Sequence, residues 1–124
     1  MKSVGGLKPG GKGVMATAGA DGAVNTAVYA FPKVVGDQIL AWGMGEGRTY
    51  RNIVENPNAS YLYIEPGETY HGIRLTLKIK EIRDSGELLD EIRKRAKMTS
   101  GEGVEEVVKY LALFEVVEER PLVG

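Results

Sequence analysis

Residues 43–57 read Gly-Met-Gly-Glu-Gly-Arg-Thr-Tyr-Arg-Asn-Ile-Val-Glu-Asn-Pro, a glycine-rich loop that leads from an apolar segment into an arginine-led helix. Glycine lets the backbone approach an anion closely, and the first turn of a helix adds unpaired N–H donors and a positive dipole end. Arg48 adds a forked cation and Thr49 a hydroxyl group. The pattern favours a phosphate-binding site, although a simple glycine turn before a helix capped by Thr49 explains the same residues.

The composition argues against several classes of function. The chain has 124 residues, a length that predicts one domain over residues 1–124. Its net charge is −1 and 7% of its residues are aromatic, so neither a basic surface nor a stacking platform predicts nucleic-acid binding. There is no cysteine and His71 is the only histidine, so we expect no thiolate chemistry and no metal site with several histidine ligands from one chain. Residues 1–8 contain no long apolar run, and we therefore expect a cytoplasmic protein without a membrane span.

Turn residues divide the first part of the chain into strands. The hairpin dipeptide at residues 21–22, Asp-Gly, predicts that residues 13–18 pair antiparallel with residues 24–31. A second tight turn is predicted at residues 36–37, and residues 38–43 then return as a third strand. The phosphate-loop candidate follows at the end of that strand.

The middle of the chain predicts a short helix between strands. Residues 48–55 have an apolar side, and Asn56-Pro57 ends the helix. A strand is predicted over residues 59–65. Residues 73–80 alternate strictly between apolar and polar side chains, which is typical of a long half-exposed strand. The alternation changes phase at residues 80–82, where we predict a β-bulge or the end of sheet pairing.

The last third predicts two helices and a final strand. Asp84 and Glu87 have the spacing of a capping box for an amphipathic helix, which a loop over residues 99–103 follows. Residues 104–111 show helical spacing, and residues 113–118 have a strand-like composition. The total is six strands with inserted helices. The hairpin turns favour an antiparallel sheet, and six strands in so short a chain readily curl into a small barrel.

Three features have competing interpretations. Residues 6–13 nearly match a nucleotide-binding P-loop, but Gly13 stands where a Ser or Thr must hold magnesium, and an apolar strand follows where a helix is required. Trp42 can lie along a planar ligand, although a strand tryptophan is more often a core residue. His71 is a candidate proton donor, but an ordinary histidine at a strand end explains it better.

Six short motifs follow one another in a characteristic order. They are Gly13-Val14-Met15-Ala16-Thr17, the Asp21-Gly22 turn, Asn25-Thr26-Ala27-Val28, Arg48-Thr49, Asn52-Ile53 and Asn56-Pro57. In this order and spacing the chain resembles the FMN-binding split barrels related to pyridoxamine 5′-phosphate oxidase, over residues 13–84. The later helix and last strand are similar to the compact bacterial FMN-binding proteins of that group. The resemblance implies a mainly β fold, a six-stranded antiparallel split β-barrel.

The resemblance also implies a cofactor, a partner and a site. It implies a homodimer that binds FMN at each subunit interface, with the isoalloxazine ring and ribityl chain along the second and third strands. Arg48 and Thr49 would contact the phosphate, and Asn52 would support them. The residues that it places along the ring and ribityl chain are Asn25, Thr26, Ala27, Val28, Ala41, Trp42 and Gly43.

The activity that the resemblance implies is that of a flavin oxidoreductase, either a flavin reductase or an electron-transfer protein. Flavin supplies the redox chemistry, so we assign no catalytic side chain. Pyridoxamine phosphate oxidases are longer, carry extra basic residues and commonly have a second cation where Thr49 stands here, so we do not expect that activity. A non-catalytic flavin-binding module and an F420-binding barrel remain alternatives. Haem fits least, because the chain has one histidine and no cysteine.

Overall fold

The computed structural model describes residue 4, residues 6–100 and residues 107–124, without the side chains of residues 99 and 100. Within these residues the chain forms seven β-strands and two α-helices of defined bounds. In chain order they are β1 (Lys12–Ala18), β2 (Val24–Val28), β3 (Lys33–Gly36), β4 (Ile39–Met44), α1 (Arg48–Glu55), β5 (Asn58–Ile64), β6 (Gly72–Arg83), α2 (Glu87–Ser100) and β7 (Tyr110–Pro121).

All seven strands belong to one antiparallel sheet with the order β2-β1-β5-β6-β7-β4-β3. The predicted Asp21-Gly22 turn joins β1 to β2, and Gly22 has the positive φ of 85° that glycine adopts without strain. The two edges of the sheet are β2 and β3. The predicted mainly β, antiparallel fold is therefore confirmed. The predicted closure into a barrel is not confirmed, because among the described residues no backbone pairing joins the two edges.

The sheet is nevertheless strongly curled. Strands β4 and β5 are three places apart in the sheet, which would separate them by about 14 Å if the sheet were flat. The rings of Trp42 on β4 and Tyr61 on β5 are only 4.8 Å apart between centroids. Curling therefore brings the concave faces of distant strands together, and hydrophobic burial between these strands stabilises the fold.

Side chains on the two faces of the sheet form separate apolar clusters. The inner cluster fills the concave face and includes Ile53 of α1. The outer cluster lies where α2 covers β4 and β7, and its buried members are Ala41, Leu89, Leu111 and Leu113. The buried members of the inner cluster are Val4, Met15, Leu40, Trp42, Met44, Ile53, Ala59, Tyr61, Tyr63, Ile73, Leu75, Leu77, Ala112, Phe114 and Val116.

The structure has seven strands where we predicted six. The predicted strand over residues 24–31 ends at Val28, and residues 33–36 form a separate strand that pairs with β4. Pro32 between them has no backbone N–H and is disfavoured inside a strand. The chain therefore leaves β1 at this point and starts the opposite edge of the sheet.

The predicted helix over residues 104–111 starts at residues 104–106, which lie outside the described residues. Its end was predicted wrongly, because β7 already begins at Tyr110. Four consecutive residues, Leu111 to Phe114, are buried, because Ala112 and Phe114 face the inner cluster while Leu111 and Leu113 face α2. Burial on both faces removes the alternation that would have identified a strand.

Two further predictions concern β6 and α2. The register of β6 against β7 shifts between Ile79 and Glu81 while the pairing continues to Arg83, so the first of the two predicted alternatives, an irregularity of the bulge type, is the one observed. The predicted capping box is wrong, since α2 begins at Glu87 and the Asp90 N–H donates to Gly86 O. Among the described residues, no helix combines the length and the hydrophobicity that crossing a membrane requires.

Candidate functional site

The start of α1 leaves hydrogen-bond donors without a side-chain partner. The helix spans Arg48–Glu55, as predicted, and its N-cap Gly47 offers no side-chain oxygen to the first-turn amides. A helix N-terminus of this kind carries unpaired N–H groups and the positive end of the helix dipole. The side chain of Arg48 is exposed at the same point and makes no hydrogen bond or ion pair with the described residues. This arrangement can hold a phosphate group.

Thr49 links this helix start to β2. Its side chain is only 4% exposed, and the Asn25 Nδ2 group donates a hydrogen bond of 3.4 Å to Thr49 Oγ1. Burial raises the pKa of the Tyr29 phenol, and the neighbouring Thr49 side chain has a smaller effect in the opposite direction. Asn25 and Thr49 are far apart in the sequence, and both were predicted to belong to the site. The structure brings them together.

Asn52 attaches α1 to the sheet. It is 7% exposed, and its Nδ2 group donates a hydrogen bond of 3.0 Å to Thr17 Oγ1 on β1. A buried amide that is paired in this way holds the helix at one rotation angle on the strand. The amide of Asn52 therefore orients Arg48 and Thr49 through the helix.

A second group of predicted site residues lines a cleft of about 560 Å³, between the end of β2, the strands β3 and β4, and α2. This volume lies in the range of small-molecule sites. Cationic residues of the lining are Lys33 and Arg95, and most of the other lining side chains are apolar or aromatic. The predicted site residues that line it are Val28, Ala41, Trp42 and Gly43.

Trp42 is a core residue as well as a wall of this cleft. It is 3% exposed, and its Nε1–H donates to Ala30 O at 2.8 Å. Its ring packs at a tilt on Tyr61 and edge-on against Phe114. The indole is thus held by packing on several sides, so the cleft wall that it forms is rigid.

The remaining predicted site residues lie outside the lining of this cleft: Asn25, Thr26, Ala27, Arg48, Thr49 and Asn52. Tyr29 connects the two groups, because it lines the cleft and its side chain lies near that of Thr49. Tyr29 was not among the predicted site residues. Its position in the strand alternation could have identified it, because Tyr29 lies two residues beyond Ala27 and therefore faces the same side as Asn25 and Ala27. These three residues lie on the inner face, opposite Gly13, Thr17 and Met15 respectively.

The glycines of the loop have different roles. A Cβ on Gly43 would lie 2.7 Å from Ile92 Cγ2 and 2.7 Å from Val108 Cγ1, and a Cβ on Gly45 would lie 2.8 Å from Val107 O. Close packing therefore explains these two glycines without a ligand. A Cβ on Gly47 would meet nothing within 4 Å, so only this glycine stands open at the start of α1.

The structure also places the other two features that had competing interpretations. The chain continues from residues 6–11 directly into β1, as a P-loop would not. His71 is exposed just before β6.

No family model and no curated protein matches the chain. Solved structures do match it. An FMN-binding protein from Syntrophomonas wolfei subsp. wolfei is similar over 99% of this chain and 83% of its own, with 21% identity and a TM-score of 0.81. A pyridoxamine 5′-phosphate oxidase-like protein from Listeria innocua is similar over 91% and 89%, with 12% identity and a TM-score of 0.70. An F420 reductase is similar over 92% of each chain, with 18% identity and a TM-score of 0.71.

The chain has the fold of the FMN-binding, pyridoxamine 5′-phosphate oxidase-like proteins. The family resemblance seen in the sequence is thereby confirmed for the fold. A heme storage protein from Vibrio cholerae is also among the similar structures, with 21% identity and a TM-score of 0.55, so the shared fold by itself does not identify a cofactor.

Proposed function

We propose that this protein is an FMN-binding flavoprotein, an oxidoreductase of the flavin reductase or electron-transfer type. The observation that carries the proposal is the uncapped start of α1, where Arg48 is exposed and the next residue, Thr49, accepts a hydrogen bond from Asn25. Free first-turn amides together with a forked cation suit a phosphate monoester. The fold shared with an FMN-binding protein supports the same conclusion.

In this proposal the two groups of site residues hold the two ends of FMN. The start of α1 would hold the phosphate, and the apolar cleft lined by Val28 and the β4 residues would take the ring system. As an edge strand, β2 pairs only with β1 among the described strands, so its free backbone groups can donate to and accept from the ring edge. Bound flavin would supply the electron transfer, while this chain would bind it, orient it and exclude water from the apolar side.

Replacing Arg48 tests the phosphate assignment. We expect Arg48→Ala to weaken FMN binding at least about tenfold, because it removes a charge-assisted hydrogen bond to the phosphate. The matched control is Arg51→Ala, which removes an exposed arginine from the same helix whose Nη1 reaches only Glu46 O, at 3.5 Å. Titration of flavin fluorescence measures both affinities. Equal affinities of the two variants and the wild type would exclude the phosphate site at α1.

We further propose a homodimer of split barrels with the flavin at the interface. Val24, Thr26 and Val28 alternate with the inward-facing residues of β2 and form an exposed row on the outer face, where Val24 is 73% and Val28 83% exposed. Val14 on β1 lies directly opposite Val28, which extends this apolar surface. An uncovered apolar patch beside a sheet edge is typical of an interface.

The dimer proposal predicts the effect of a charge on this row. We expect Val28→Lys to convert the dimer to a monomer, because an unpaired ammonium group would have to be buried in the interface. Val117→Lys, at a valine 61% exposed on β7, is the control and should leave the dimer intact. Sedimentation velocity measures the mass. A wild type that is monomeric, with or without flavin, would refute the interface.

F420 is the second candidate cofactor, because an F420 reductase shares the fold. Its phosphate could use the same helix start, so Arg48→Ala does not separate it from FMN. The mass and absorption spectrum of the chromophore released from the purified protein do separate them. Steady oxidation of reduced nicotinamide by the loaded protein would distinguish an oxidoreductase from a non-catalytic flavin-binding module.

A further inference from the structure

A pair of stacked tyrosines on the other side of α1 takes no part in the proposed flavin site. The rings of Tyr50 on α1 and Tyr110 on β7 are nearly parallel, at 4°, with their centroids 4.0 Å apart. The Tyr110 hydroxyl donates to Glu46 Oε1 at 2.9 Å, which fixes the orientation of that ring. Both side chains are half-buried, so the pair presents a rigid aromatic surface.

This surface forms one wall of a cleft of about 520 Å³. The other lining residues come from the end of β6 and the loop before α2: Ile82, Arg83, Asp84 and Ser85. The cleft shares no lining residue with the cleft beside Trp42. Its volume suits a small ligand, and its walls combine aromatic and aliphatic surface with one cation, one carboxylate and the hydroxyl group of Ser85.

Arg83 can contribute its charge to a ligand. Its Nε and Nη2 groups donate to the carboxylate of Glu81, an exposed ion pair, and its side chain remains 45% exposed. Ion pairs exposed to this degree contribute little to stability, so the guanidinium can turn toward an incoming anion at small cost. The planar fork also has a further nitrogen, Nη1, that the Glu81 pair does not use.

We propose that this cleft, bounded by the Tyr50–Tyr110 stack and by Arg83, is a binding site for a purine nucleotide. The base would continue the aromatic stack, because every nucleobase presents a π-face. Arg83 would pair with the phosphate, and Ser85 would add a hydroxyl donor. The Asp84 carboxylate would repel a bare anion, but it accepts hydrogen bonds from an exocyclic amino group or ribose hydroxyls. A ligand with a flat ring, donors and an anion would satisfy all of these walls.

Calorimetric titration of the purified full-length protein with adenosine 5′-monophosphate, adenosine and inorganic phosphate tests the site. We expect the nucleotide to bind one per chain, adenosine to bind more weakly and phosphate alone not to bind. Arg83→Gln should weaken nucleotide binding about tenfold and leave adenosine binding unchanged, because it removes only the charge-assisted contact. Lys80→Gln, which removes an exposed cation of the same strand, should change neither affinity.

Amide chemical shifts of the wild-type protein locate the nucleotide without any substitution. Shifts confined to residues 50, 82–85 and 110 support the proposal. Shifts confined to residues 47–49 would place the nucleotide at the proposed flavin-phosphate site and overturn it, as would no shift at millimolar nucleotide. The outcome is independent of the flavin proposal, since Arg83→Gln should retain full FMN affinity whichever result is obtained.

Discussion

At the scale of single residues, the polar side chains around α1 hold the candidate site in place. The amide of Asn52 and the hydroxyl of Thr17 satisfy each other in a buried position, and Asn25 and Thr49 form a second contact between the helix and the sheet. Buried polar atoms are costly when they lose their partner, so each pair specifies one arrangement of the helix on the sheet. The position of Arg48 depends on that arrangement.

Removing the Asn52 amide should therefore destabilise the protein. We expect Asn52→Ala to lower the free energy of unfolding by about 1–3 kcal/mol, because it leaves the Thr17 hydroxyl buried without its donor. Urea unfolding followed by circular dichroism measures the loss. Asn58→Ala, at an exposed asparagine of β5, is the control. The double variant Asn52→Leu with Thr17→Val should recover part of the loss, since no unpaired polar group remains. If the double variant lost as much stability as the Asn52→Leu and Thr17→Val variants lose together, the two side chains would not interact.

At the scale of secondary-structure elements, close packing between β4 and α2 shapes the cleft beside Trp42. Gly43 has no side chain, and Ile92 and Val108 occupy the space that a Cβ would need. Ala41, the neighbouring outward-facing residue of β4, is also small and buried under α2. Small residues on the outer face thus let the helix approach the strand that forms one wall of the cleft.

Enlarging Gly43 should disturb this contact. We expect Gly43→Ala to lower the free energy of unfolding by about 1–3 kcal/mol, because the new methyl group overlaps two side chains in a packed region. Gly36→Ala, whose Cβ would make an ordinary van der Waals contact at 3.7 Å from Ile39, should change stability by less than about 0.5 kcal/mol. Thermal unfolding of both variants provides the comparison. Equal melting temperatures for the two variants would mean that α2 moves freely to admit the methyl group.

At the scale of the whole molecule, the curled sheet encloses phenol groups whose protons the folded state retains. Burial raises the pKa of Tyr61, whose hydroxyl donates to Ala30 O at 2.9 Å, and burial likewise raises the pKa of Tyr29. In the unfolded chain these groups would lose their protons near their ordinary pKa of about 10. The folded state therefore binds more protons than the unfolded state above that pH, and stability must fall as the pH rises.

The alkaline loss of stability can be measured directly. We expect the urea midpoint to fall steadily between about pH 9 and about pH 11, because unfolding then releases the phenol protons. Tyr61→Phe should make this fall shallower, while Tyr70→Phe, at a tyrosine that is 77% exposed, should not. A midpoint that stays constant over this range in the wild type would contradict the assignment of the buried phenols.

The sequence alone determined the features that depend on local chemistry. It predicted the bounds of α1 from the apolar side of the helix and the Asn56-Pro57 stop, the β1–β2 hairpin from Asp21-Gly22, and the bulge of β6 from a change of phase. It also placed Arg48 and Thr49 at the start of α1. These features are set by residues a few positions apart, whose turn, cap and alternation rules operate without the rest of the fold.

Only the tertiary structure decided what depends on contacts between distant segments. The strand β7 begins at Tyr110. The sequence did not predict this start, because α2 and the inner cluster bury both faces of the strand and so remove its alternation. Gly43 is a packing residue because Ile92 and Val108 lie over it, and Tyr29 joins the two groups of site residues because the curled sheet sets β2 against α1. Such contacts arise from burial across the whole chain, which no local pattern of residues records.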